Sequence, residues 1–177
     1  MEDESEILLS SYGRYQSIAI DASESSQQSA LRRNSLITEK NIDHEELVKA
    51  ASDVHDKAII SIVFSAMTVE AFINEYGISN FSSSYFKTHL DKLSLISKLV
   101  LIPKLANKTE LDTTGQVYEE VKWLIEFRNH LVHFRSKRKD IKNIDMTDPM
   151  SQKDFVMESH CERAVNAMSK LISLVSN

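Results

Sequence analysis

The chain has 177 residues, 42% of them hydrophobic, and a formal net charge of −5. That length suffices for one domain with a sizeable core, and the acidic balance argues against broad, nonspecific coating of nucleic acid. Three Gly, two Pro and one Cys exclude an intramolecular disulfide and a cysteine-cluster zinc site, favour long helices, and fit a reducing, cytoplasmic setting.

In chain order, the start Met1–Glu6 is acidic where a signal peptide would be basic. Residues 1–42 read as an N-terminal accessory helix and linker. Ile7, Leu8, Tyr12, Tyr15, Ile18 and Ala22 loosely share one helical face, and the Ser-rich run Ser23–Ser29 is either a solvated helix or a flexible link. A mobile junction is expected near 34–43. Residues 43–177 form the main helical domain.

Asp43 is placed to cap a helix, with Glu46 three residues on as in a capping box. Apolar residues then recur at steps of three and four from Leu47 to Ile73, and Gly77 is expected just past the helix end. So long a helix invites a kink near His55–Asp56. Glu70 lies on its apolar stripe, as does Asn74. A shorter helix is expected over Tyr85–Leu101, with Pro103 stopping it or starting the next turn, and a final one over Lys153–Val175. The apolar runs Ala58–Met67 and Leu93–Ile102 are too short or too interrupted by charge to span a bilayer, so no membrane partner is expected. The fold class is therefore all-α, a bundle of about four to five helices.

The stretch 117–135 carries the chemistry. Val117, Val121, Leu124 and Leu131 define its buried face, and Arg128 falls inside that face. A buried guanidinium needs a partner or a cleft, because bare burial costs several kcal/mol. Glu70 is the expected partner across the helix interface; the bland alternative has Glu70 at a seam edge, reaching water. Arg128 and His133 diverge by roughly 140° around the helix and about 7.5 Å along it, so one helix does not easily bring both to one small ligand. Two copies across a two-fold axis could complete each other's site.

Other chemistries fit less well. His130, His133 and Glu126 have spacing that permits a metal, but H-E-x-x-H is absent and Arg128 would repel a cation, so no metal and no other cofactor is expected. A Cys161 nucleophile would need His160 as base, and adjacent helical residues point about 100° apart. The cluster Arg135, Lys137, Arg138 and Lys139 either complements the helix dipole or lies along a bound phosphate backbone.

Arg128-Asn-His-Leu-Val-His133 resembles the R-x4-H signature of the HEPN superfamily (higher eukaryotes and prokaryotes nucleotide-binding domain), with a polar residue directly after the Arg. The stretch Phe64–Glu75 and the Lys98-Leu99…Pro103-Lys104-Leu105 segment extend the similarity over roughly residues 45–175. The resemblance implies a dimerising helical bundle that cleaves RNA without a metal, with Arg128, Asn129 and His133 as catalytic residues. Glu70 and His130 would support them, and the basic cluster would bind RNA. It also implies a toxin or antiviral-defence role, with an antitoxin or regulatory protein as a further partner, or else a silent module that binds nucleotides or a partner protein. One branch of the family continues its motif to a Tyr two residues after the His; here that position is Arg135, so AMP attachment there is not implied.

Overall fold

The computed structural model describes residues 11–39, 41, 43–107, 110–133 and 158–176. Helix α1 spans Tyr12–Thr38 and α2 spans His44–Asn80. A short turn of helix, α3 (Ser83–Tyr85), runs into a π-helical turn over Phe86–Leu90. Then come α4 (Leu95–Asn107), α5 (Gln116–Val132) and α6 (Glu158–Ser176). The fold is all-α, with no strand among the described residues.

The two long helices run antiparallel, because contacts that advance along α1 retreat along α2. Tyr12 meets Phe72 edge-on at 5.5 Å, the Ser61 hydroxyl donates to the Ala19 carbonyl at 2.8 Å, and the Ser26 hydroxyl donates to the Val54 carbonyl at 2.9 Å. Their seam is built from small side chains: Ala19, Ala22, Ser26 and Ala30 are buried on α1 and Ala50, Ala58 and Ser61 on α2, while Ser23 turns to α6 and donates to Cys161 Sγ at 3.6 Å. Small residues let the backbones approach, and a buried hydroxyl is tolerated once a carbonyl accepts its proton. The Ser-rich run is therefore helix and not a link: Glu24, Gln27 and Gln28 are exposed on it while Ser23 and Ser26 are buried. The helix also continues through Thr38, so the junction expected near 34–43 is shorter, and Ala19 carries α1 into the same core as α2, α5 and α6.

Asp43 caps α2, its Oδ1 accepting from the Glu45 and Glu46 backbone N–H groups at 3.0 and 3.1 Å. Glu46 does not close the box; its carboxylate accepts from Arg32 Nε and Nη2 at 2.8 and 2.6 Å. No break interrupts α2 at His55–Asp56. Taken whole, α2 is long and apolar enough to cross a membrane, although the individual apolar runs are short; half of its most apolar window is buried inside the bundle.

Gly77 does not end α2, which continues three residues further. A Cβ at Gly77 would stand 2.6 Å from the Phe86 ring, and the buried ring has little room to yield. Glycine is there for close approach. Gly77→Ala should therefore lower stability by about 1–2 kcal/mol, overpacking outweighing the gain of about 1 kcal/mol in helix propensity. A urea-unfolding midpoint that rises in this variant would contradict that assignment.

The single helix expected over Tyr85–Leu101 is instead divided. The π-helical turn closes with Asp91 N–H donating to the Phe86 carbonyl at 2.9 Å, and Ser94 restarts the chain by accepting from the Ser97 N–H at 3.1 Å. Pro103 does not stop α4 but lies buried inside it. Ser94 supplies a start signal that apolar spacing alone does not register.

In the last two helices, Val121, Leu124 and Phe127 of α5 meet Cys161, Ala164, Met168 and Leu171 of α6 in the core. Of the span expected for the last helix, Lys153–Val175, the first five residues lie outside the described ones. Phe127 stacks on His160 at 5.2 Å and on Trp123 at 5.3 Å, and the Arg163 guanidinium sits 3.9 Å over the Trp123 ring while pairing with Glu120. Burial, and then the Arg163 charge, hold the His160 imidazole below its ordinary range. This stack ties α5 to α6.

Candidate functional site

The last turn of α5 reaches a groove of about 370 Å³ between the start of α1 and the second half of α2. Its floor is a helical stripe of α2: Met67, Ala71, Asn74 and Ile78. Glu70 and Glu75 flank that stripe, Tyr15 and Ser11 close the α1 side, and Arg128 enters from α5.

Arg128 is held by two oxygens. Its Nη2 lies 3.7 Å from Glu70 Oε2, and its Nη1 donates to Asn129 Oδ1 at 3.0 Å. The ion pair expected between Glu70 and Arg128 is thus present, and it is loose. The Arg128 side chain is 29% exposed and that of Glu70 47%, so water screens the pair and it is worth about 0–1 kcal/mol. Arg128 is a rim residue rather than a core one, which is how the bundle avoids burying a bare charge on the apolar face of α5.

The remaining motif residues separate. Asn129 is exposed and turns its side-chain oxygen to Arg128, not to a histidine. His130 is half-buried in the same turn. His133 is the C-cap of α5, its backbone N–H donating to the Asn129 carbonyl at 3.0 Å, and its ring is exposed. Among the described residues no hydrogen bond or ion pair joins the His133 ring to Arg128, Asn129 or Glu70. One chain therefore presents a guanidinium in a groove and an imidazole at a helix end.

Arg135, Lys137, Arg138 and Lys139 lie outside the described residues. Among the described residues no group of three or more His, Cys, Asp or Glu side chains could hold a metal.

One residue that the sequence places only within the resemblance, with no role at the site, adjoins the groove. Lys98 of α4 is 5% exposed; its Nζ donates to Asn74 Oδ1 at 2.9 Å, lies 3.7 Å from Asp91 Oδ1 and sits 5.5 Å over the Phe86 ring. Lys98 falls at helical spacing with Leu95 and Ile102, so it is a charge on an apolar stripe, the same signal that singled out Arg128. No family model, curated protein or solved structure matches this chain.

Proposed function

We propose that the protein is a HEPN-type, metal-independent endoribonuclease that acts as a homodimer, in the cytoplasm, as a toxin or antiviral-defence component. The observation that carries this reading is the state of Arg128: a permanent cation at the rim of a groove, tethered at 3.7 Å to a half-exposed carboxylate. A tether that weak can be exchanged for a phosphodiester, to which a guanidinium donates bidentately.

RNA brings its own nucleophile. In the reaction proposed, the 2′-oxygen attacks the adjacent phosphorus and the 5′-oxygen leaves, giving a 2′,3′-cyclic phosphate and a 5′-hydroxyl. The His133 imidazole takes the 2′-proton and passes it to the leaving 5′-oxygen. Arg128 neutralises the charge that gathers on the phosphoryl oxygens. Asn129 holds the guanidinium in place through its amide oxygen. In this scheme His133 of one protomer serves the Arg128 of the other, which accounts for the separation of the two along α5.

Mixing two inactive variants tests the composite site. Arg128→Ala and His133→Ala homodimers each lack one component of both sites, whereas their heterodimer regains one intact site. After random reassociation, cleavage should return to about one quarter of the parental rate, since half the dimers carry one of two sites. A mixture no more active than its components, or full cleavage by a monomer in light scattering, would exclude a shared site. The runner-up, a silent module that binds a nucleotide or a partner protein, takes over if the intact dimer leaves RNA untouched.

A further inference from the structure

Lysine is found nine-tenths buried only where something holds its ammonium. Lys98 has three such neighbours, and the shortest contact is with the amide oxygen of Asn74, at 2.9 Å. An ammonium only donates, so it selects the oxygen end of the amide. With Oδ1 turned to Lys98, the end of Asn74 left for the groove is its NH2 group. The amide is thereby fixed as a donor on the groove floor.

Around this donor the groove is mixed in character. Glu70 and Glu75 flank it and, ionised, can only accept hydrogen bonds. Met67, Ala71 and Ile78 offer apolar surface, and Tyr15 an aromatic ring. A second phosphate would suit the Asn74 amide but face two carboxylates. An uncharged planar group with both donors and acceptors on its edge faces no such repulsion, and about 370 Å³ is within the usual range of small-ligand sites. Asn74 lies one helical turn from Glu70, about 5–6 Å between Cβ atoms, beside the point where Arg128 would take a phosphate.

We infer that the groove is a nucleobase pocket in which Lys98 positions the Asn74 amide to donate to the 6-oxygen of guanine or the 4-oxygen of uracil, so that Asn74 selects these bases over adenine and cytosine. This rests on the reading of Arg128 as a phosphate ligand in the proposed ribonuclease. Guanine and uracil carry a carbonyl where adenine and cytosine carry an amino group. The bidentate grip of an asparagine on adenine needs its oxygen as acceptor, and here that oxygen is engaged by Lys98.

The test is titration calorimetry of the full chain with the four ribonucleoside monophosphates and with ribose 5-phosphate. GMP and UMP are expected to bind at least about tenfold more tightly than AMP, CMP and ribose 5-phosphate, within the discrimination one base-reading side chain supplies. Asn74→Asp keeps an oxygen on Lys98, so the fold holds, but it turns an acceptor to the groove; the order should level or reverse toward AMP and CMP. Lys98→Met frees the amide to rotate and should shrink the preference to less than about threefold. Arg128→Ala should weaken all five ligands and leave the order intact. Base-independent binding, no nucleotide binding at millimolar concentration, or an order unchanged in Asn74→Asp overturns the inference, and the last holds even if Lys98→Met fails to fold. Base preference without RNA cleavage would sink the ribonuclease reading alone; cleavage without base preference would sink this inference alone.

Discussion

Replacing His133 with alanine should lower RNA cleavage by about 10²–10⁴-fold, the usual contribution of a general acid–base group, and leave stability within about 0.5 kcal/mol. The two expectations are separable because His133 is exposed at the end of α5 and its fixed contact is made by its backbone N–H, which alanine retains. A loss of activity with no loss of stability therefore reports on chemistry. His130 is the control, half-buried one turn earlier. If His130→Ala loses activity and His133→Ala does not, the assignment of the imidazole is wrong.

The second large effect concerns the scaffold. Leu124 is fully buried in α5, between Val121 and Phe127 in sequence and in the core shared with Met168 and Leu171. Leu124→Ala removes three carbons from a packed interior and leaves a cavity, which costs about 2–5 kcal/mol. Domains of this size are stable by about 5–15 kcal/mol, so a large share of the total is at stake. Leu101→Ala is the matched comparison: Leu101 is 40% exposed, and its replacement should cost under about 1 kcal/mol. Urea unfolding with unchanged slope would measure both. A Leu124→Ala cost below about 1 kcal/mol would mean that α5 is not docked as described, and the aim of Arg128 with it.

Apolar periodicity located α2, α5 and α6 because their buried faces carry large apolar residues among the small ones, recurring at steps of three and four. It read α1 poorly for a physical reason. The seam of α1 is alanine and serine, and Ser23 and Ser26 are buried not for hydrophobicity but because they are small, with Ser26 Oγ giving its proton to the Val54 carbonyl. Gly77 and Pro103 misled in the same way, since each has a local meaning as a helix breaker that tertiary packing overrides. Gly77 makes room for Phe86, and Pro103 is buried within α4. Charges out of place on apolar stripes were the more informative signal. Arg128 and Glu70 were found that way, and Lys98 could have been. The sequence could not show that Asn129 would turn to Arg128, or that α5 would end at Val132 and leave His133 as its cap.

The measurement that bears most directly on the central claim uses the purified 177-residue chain, mixed cellular RNA and excess EDTA. Cleavage is expected at an undiminished rate in the chelator, with fragments ending in 2′,3′-cyclic phosphate and beginning with a 5′-hydroxyl, and none in Arg128→Ala. Intact RNA after prolonged incubation, cleavage that EDTA abolishes, or fragments ending in a 3′-hydroxyl would contradict it.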